Sequence, residues 1–202
     1  HNTTNRRVSA GIIELMSQLF DFSETPFSGL VRIKRLPLLD SRGFFSRFYC
    51  AEEFKRIGLK QPIAQINQSL TRHKGSIRGM HFHYQPDTET KIVACTRGEV
   101  FDVAIDIRNG SSTFLHWHAE LLSADNMHSL YIPAGFAHGY QALTDNCELI
   151  YLHTGFYTAD GEGALNAMDP MLSINWPLDV ADISDRDRNH PMLDSNFEGV
   201  AE

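Results

Sequence analysis

Three cysteines in 202 residues, a deficit of basic side chains and the lack of any long apolar run exclude several classes of protein at once. Cys50, Cys95 and Cys147 are odd in number and share no paired spacing, and two of them lie in strand-like apolar runs. That usage points to reduced thiols and a cytoplasmic protein rather than a disulfide scaffold. No apolar stretch approaches the roughly 20 residues needed to cross a bilayer, so no membrane partner is expected. The 18 Lys and Arg against 25 Asp and Glu leave a formal charge of -7. A general nucleic-acid binder needs clustered cations to displace counterions from phosphates, so nucleic acid is not an expected partner. A single anionic small molecule remains within reach. The segment His1 to Arg7 has neither an initiator Met nor an adjoining apolar secretion core, and reads as a tag remnant or disordered arm without function.

What is present is ordinary globular material: 42% hydrophobic and 21% charged residues, enough to bury a real core. Ile12, Ile13, Leu15, Met16 and Leu19 recur at helical spacing between Ser9 and Phe20, which predicts a short appended helix capped by Ser9. After Pro26 the pattern changes to short runs rich in Val, Ile, Phe and Tyr, punctuated by Gly, Asn, Asp and Pro. Strands are expected at Leu30–Leu36, Ala64–Leu70, Ser76–His83, Lys91–Thr96, Val100–Ile107, Thr113–Leu122, Ser129–Ile132, Gly139–Leu143 and Glu148–His153. A helical turn or two is expected at Ala51–Ile57. Arg97-Gly98, Asn109-Gly110 and Asp125-Asn126 stand where hairpins would close. Beyond Asp169-Pro170 periodicity is lost, and the chain should wrap the barrel as ordered loop.

These strands predict an all-β fold, a double-stranded β-helix of jelly-roll type with short flanking helices, whose site lies inside the barrel. The expected organisation is an N-terminal arm with a short helix at 1–26, one barrel domain at 27–192 and a tail at 193–202.

The densest polar cluster is Arg78-Gly79-Met80-His81-Phe82-His83. Strand alternation puts His81 and His83 on one face, and Met80 and Phe82 on the other. Arg78 points away from the two histidines unless Gly79 introduces a bulge. Two chemistries use such residues. The first is metal binding by His81, His83, Glu89 and His138, which are suitable donors for a divalent ion. Gly75, His81, His83, Glu89 and Gly98, followed by Pro133, Gly135 and His138, resemble the two motifs of the cupin metal site. Both spacers of the first motif are longer than usual, and Ala142 stands where Asn is expected. Pro86-Asp87 also breaks any continuous strand to Glu89. The second chemistry is proton transfer beside a carbonyl, needing a base, a cation for the enolate and an acid on the other face. His81, Lys91 with Arg78, and Tyr151 supply those types.

Many stretches then match one family in order, from about Leu30 to Pro191. They include Asp40-Ser-Arg-Gly-Phe-Phe45, Gln65-Ile-Asn-Gln-Ser69, Lys74-Gly-Ser-Ile-Arg-Gly-Met-His-Phe82, Lys91-Ile-Val and Arg97 through Arg108. Further matches are Ser111-Ser-Thr-Phe114, Leu122-Ser-Ala-Asp-Asn126, Tyr131-Ile-Pro-Ala-Gly-Phe-Ala-His-Gly139, Asp169-Pro170, Ile174-Asn-Trp-Pro177 and Ile183-Ser-Asp-Arg-Asp187. The chain resembles the dTDP-4-dehydrorhamnose 3,5-epimerases, cupin-fold isomerases of nucleotide-sugar metabolism.

The resemblance implies inversion of C3 and C5 of a dTDP-4-keto-6-deoxyhexose through an enolate, without metal or other cofactor, in deoxysugar biosynthesis. It implies His81 as base, Asp187 as its orienting carboxylate, Tyr151 as acid and Lys91 beside the keto oxygen. Arg42, Arg78, Asn67 and His138 match positions that hold the nucleotide diphosphate or sugar, and Glu162 and Arg186 match more peripheral contacts. Arg47 and Gln65 complete the expected substrate set. A plainer use exists for Arg42, pairing with Asp40, and for Glu162, a solvated loop charge. A homodimer is also implied, with the strand near Leu30–Leu36 pairing with the partner's sheet and thereby covering an edge. The chain departs from the pattern at Arg47, where Glu is common, and at His83 and Glu89, where Gln is common. These departures leave the nucleotide and sugar open, and the motifs do not separate C3 inversion from inversion at C3 and C5. The competing readings are a C3-only epimerase, a metal-dependent cupin isomerase or oxygenase, and a non-catalytic binding module.

Overall fold

Short apolar-alternating runs close into strands because one face of each finds another sheet to cover it. The computed structural model describes residues 19–201. Its strands are β1 (Phe20–Glu24), β2 (Val31–Arg35), β3 (Leu38–Asp40), β4 (Gly43–Phe45), β5 (Gln65–Thr71), β6 (Ile77–His83) and β7 (Lys91–Arg97). They continue as β8 (Glu99–Asp106), β9 (Trp117–Ser123), β10 (His128–Ile132), β11 (Phe136–Ala142), β12 (Cys147–His153) and β13 (Glu162–Ala164). Two short helices join them, α1 (Ala51–Phe54), continued by a 3-10 turn at Lys55–Ile57, and α2 (Asp185–Arg188).

Two sheets face each other in the expected jelly roll. One has the order β1-β2-β10-β7-β12-β5, the other β13-β6-β11-β8-β9. Val93, Val100, Leu130, Tyr140 and Leu149 are among the residues that fill one end of the space between them. The outer face of the five-stranded sheet carries Ile77, Met80, Phe82 and Ile105, covered by Leu172, Ile183 and Val200 of the C-terminal loop. The outer face of the six-stranded sheet carries Ile33, Ile92 and Leu152, covered by Phe54 of α1 and by Leu59. Each covering segment removes from water an apolar row that the strand pleat turns outward, the main favourable term in such a fold.

The structure corrects several expectations. The helix expected at Ser9–Phe20 falls almost wholly outside the described residues, and its last residue, Phe20, begins β1. Residues 20–24, assigned to the arm, thus belong to the six-stranded sheet. β1 runs antiparallel to β2, and β10 pairs with β2 on its other side. The strand expected to reach a partner's sheet is therefore enclosed by its own chain, and β1 supplies the edge cover. Of the tail expected at 193–202, the described residues 193–201 are tied down through Val200, which bridges to Arg108, and Phe197, which stacks on Phe114. The hairpin β3–β4 and strand β13 escaped the sequence pattern because they are three residues long and largely unburied. The strand expected at Thr113–Leu122 begins only at Trp117, since a turn through Leu115 at φ 61 precedes it. Among the described residues no helix is long and apolar enough to cross a membrane.

Candidate active site

β6 sets the geometry of the cavity. Its pairing with β11 shifts register between His138 and Tyr140, matching His81 to His138 but Arg78 to Tyr140. This is the bulge that Gly79 permits: its φ is +126, and an added Cβ would lie 2.5 Å from the Gly139 Cα. The extra residue turns Arg78 to the same side as His81 and His83, so all three line the cavity. Simple alternation, which pointed Arg78 away, fails here for that reason.

The cavity, about 280 Å³, opens between the sheets. Of the residues expected to act on or hold a ligand, His81, Tyr151, Asp187, Lys91, Asn67, Arg78, His138 and Glu162 line it. Arg42, Arg47, Gln65 and Arg186 are not among its walls. Arg42 is 88% exposed in its side chain and pairs with Asp40 at 2.6 Å. Arg47 pairs with Glu53 at 3.0 Å, Gln65 Oε1 accepts from the Tyr157 backbone N–H, and Arg186 pairs with Glu162 at 2.6 Å.

Asp187 reaches His81 from the other end of the chain. A parallel bridge between Ile77 and Ile183 pins the approach to α2 against β6. Ser184 caps α2 by accepting from the Asp187 N–H at 3.1 Å. One oxygen of Asp187 then accepts from the Gly79 N–H at 3.1 Å, and the other lies 2.7 Å from His81 Nε2. Burial opposes ionisation of Asp187, but its bond to His81, followed by the Gly79 N–H and His190, outweighs that and holds it at about 2. A carboxylate only accepts, so Nε2 of a neutral His81 carries the proton and Nδ1 keeps its lone pair.

Tyr151 enters from β12, in the opposite sheet. Burial, reinforced by the neighbouring Tyr140 hydroxyl, keeps its phenol protonated well above the usual range. Its hydroxyl lies 3.1 Å from Ser69 Oγ, and Tyr140 reaches Thr71 at 2.7 Å. Thr71 also accepts from Arg78 Nε at 2.9 Å, which tethers that guanidinium at the cavity wall. Behind the cavity, His138 Nε2 lies 2.8 Å from Asp102. Burial pushes His138 down and Asp102 up, so both lean toward neutral forms.

The four metal donors weighed from the sequence do not assemble. His138 is committed to Asp102, while Glu89 lies 2.9 Å from His153 Nδ1, 3.3 Å from His83 Nδ1 and 3.4 Å from Lys91 Nζ. Among the described residues the donor group gathered within 4.8 Å is His81, Asp187 and His190, which includes none of the other three. Glu89 does face inward, delivered by the turn before β7 rather than by a continuous strand. Sequence reasoning did not single out His153, Asp102 or His190. His153 was open to it, since it stands two residues beyond Tyr151 on one strand and so shares its face. Asp102 carries no local signal, because its partner His138 is remote in sequence, whereas His190 stands three residues beyond Asp187 and 3.5 Å from its carboxylate.

Comparison with known proteins places this geometry. The family model for dTDP-4-dehydrorhamnose 3,5-epimerase matches residues 24–195. The dTDP-4-dehydrorhamnose 3,5-epimerase of Salmonella typhimurium is 40% identical over 157 residues, 77% of this chain and 85% of that protein. A dTDP-4-dehydro-6-deoxyglucose 3-epimerase from a Streptomyces species is 36% identical over 156 residues, 76% of this chain and 79% of that protein. The crystal structure of the dTDP-6-deoxy-D-glucose-3,5-epimerase of Legionella pneumophila with dTDP-4-keto-L-rhamnose superposes with a TM-score of 0.84. It is 33% identical, and the match covers 91% of this chain and 99% of that one. A half-buried His–Asp pair and a protonated tyrosine facing one cavity from opposite sheets thus sit in a chain that belongs to the dTDP-4-dehydrorhamnose 3,5-epimerase family of isomerases.

Proposed function

We propose that the protein inverts C3 and C5 of a dTDP-4-keto-6-deoxyhexose by deprotonation and reprotonation through an enolate. The observation that carries this reading is the placement of His81 on β6 and Tyr151 on β12, in facing sheets around one cavity. Inversion needs a base on one face of the sugar ring and an acid on the other, because one group working alone returns the proton where it was removed. His81 Nδ1 takes the proton from the carbon beside the C4 ketone, and the C–H electron pair becomes the enolate. Asp187 stabilises the resulting imidazolium. Lys91, 7% exposed, faces the negative oxygen with its ammonium. Tyr151 delivers a proton to the opposite face, and exchange with solvent resets both groups.

In this reading Arg78, Asn67 and His138 hold the diphosphate or the sugar, and Glu162 with Arg186 closes the rim. Arg42 and Arg47 serve a neighbouring copy. The hairpin β3–β4 carries Arg42 between strands whose Leu39, Phe44 and Phe45 are 77%, 61% and 65% exposed. Strand β5 ends its sheet and leaves Ile66 63% exposed. These two apolar surfaces support a homodimer in which the hairpin of one copy reaches the cavity of the other. The reduced state of the three thiols supports a cytoplasmic setting.

C3-only inversion is the second reading, favoured by the similarity to the Streptomyces 3-epimerase. Incubation with a dTDP-4-keto-6-deoxyhexose in heavy water, followed by NMR, tests both. Deuterium at C3 and C5 with inversion at each supports the double epimerase. Deuterium at C3 alone supports the second reading, and no exchange rejects both.

A further inference from the structure

The proton-transfer scheme uses neither His83 nor Glu89. Yet His83 lines the same cavity as His81. Its side chain is 9% exposed, and neither ring nitrogen has a hydrogen-bond partner among the described residues. An imidazole buried in that state gives up its bonds to water for one long approach to a carboxylate and leaves Nε2 with none, which native structures rarely tolerate unless a ligand completes the site. The adjoining carboxylate shows how the ring is aimed. Glu89 Oε1 lies 3.3 Å from His83 Nδ1, an electrostatic contact short of a formed hydrogen bond. The other Glu89 oxygen lies 2.9 Å from His153 Nδ1, and Lys91 Nζ stands 3.4 Å from Oε1. Glu89 is thus fixed from three sides and stands at the Nδ1 edge of the His83 ring, while Nε2 is left buried and unpartnered in a residue of the cavity wall.

We propose that His83 is a sugar-recognition residue whose Nε2 accepts a hydrogen bond from a ring hydroxyl of the bound hexose, with Glu89 as the positioning residue behind it. The inference rests on the epimerase reading and adds the sugar group that the cavity selects. Chemistry narrows the choice of group. With Nδ1–H turned toward a carboxylate, Nε2 of neutral imidazole is an acceptor and needs a donor. A ketone and a diphosphate offer only acceptors, and a methyl group offers neither. The hydroxyls of a 4-keto-6-deoxyhexose joined to its nucleotide at C1 are those on C2 and C3. Position agrees: His83 follows His81 by two residues on one strand, roughly 7 Å along it, a span that one hexose with its substituents bridges.

The test compares sugar with nucleotide. For His83→Phe, which keeps a ring and removes the acceptor, kcat/KM for the dTDP-4-keto-6-deoxyhexose should fall at least about tenfold while the Kd for dTDP moves less than twofold. Wild-type enzyme should bind the 2-deoxy or the 3-deoxy sugar nucleotide more weakly than the parent by a similar factor in Kd, and that discrimination should vanish in the variant. His83→Leu, read in the same way, serves should the phenyl ring prevent folding. Equal losses for sugar and dTDP would make His83 a diphosphate contact or a structural residue and overturn the proposal. Undiminished discrimination by the variant between the parent and deoxy sugars would overturn it too, while leaving the epimerase reading intact. A wild-type protein that binds dTDP but exchanges no sugar proton would instead remove the epimerase reading.

Discussion

His81 Nε2 and Asp187 Oδ1 lie 2.7 Å apart although 106 residues separate them in the chain. The bond joins a barrel strand to a four-residue helix that arrives after the last strand. It decides which imidazole nitrogen can act as base, and that tautomer underlies the first two predictions.

His81→Asn should lower turnover by about 10⁴-fold, the upper range for removing a general base. Binding of dTDP, measured by calorimetry, should change little, because the base acts only in the transition state. Near-native turnover in this variant would refute the assignment.

Asp187→Asn should cost less, about 10²-fold, since the imidazole stays and loses only support for its tautomer and cation. The same substitution has a signature in acid. Asp187 is held at about 2 against an ordinary 3.8, so it stabilises the fold by roughly 2 kcal/mol above pH 4. Its pKa is depressed in the folded state, so this contribution fades as pH falls through about 4 toward 2. Urea midpoints should therefore differ between wild type and variant at pH 5 and converge near pH 2. A gap that does not change over that range would mean that the carboxylate is not held down by folding.

Tyr151→Phe keeps the ring and its packing and removes only the hydroxyl. Deuterium should still enter beside the C4 ketone, through His81, faster than inverted sugar accumulates. Equal loss of exchange and inversion would make Tyr151 a positioning group, and retention of both would assign the acid to water or another residue.

Activity should survive extended dialysis against EDTA, and elemental analysis should find no stoichiometric metal. The geometric reason is that His138 faces Asp102 while Glu89 faces His83, His153 and Lys91. One zinc, iron or manganese per chain, with activity lost on its removal, would restore the cupin-metal reading.

Light scattering at micromolar concentration should give twice the chain mass. Phe44→Asp with Phe45→Asp, on the exposed hairpin, should shift the protein to monomer and weaken dTDP binding through the displacement of Arg42. A monomeric wild type would leave Arg42 to Asp40 alone.

Sequence alone determined those features of this protein that depend on neighbours along the chain. Short runs rich in β-branched and aromatic residues, bounded by turn residues, mark β5, β6, β7, β8, β10 and β12, since such side chains fit a pleated surface. The ordered motifs from Asp40 to Asp187 carried the family and, through resemblance, His81, Tyr151 and Asp187. Tertiary structure decided whatever depends on register and on the opposite sheet. The bulge at Gly79 turned Arg78 inward, which period-two reasoning cannot foresee because one extra residue reverses every side chain before it. β1 closed the edge of β2, although five residues of mixed polarity gave no strong strand signal. Glu89 came to lie beside His83, His153 and Lys91, and Asp102 beside His138, through contacts between remote segments. Local pattern specifies which face of a strand is apolar, but only packing of the two sheets selects which polar groups share the space between them.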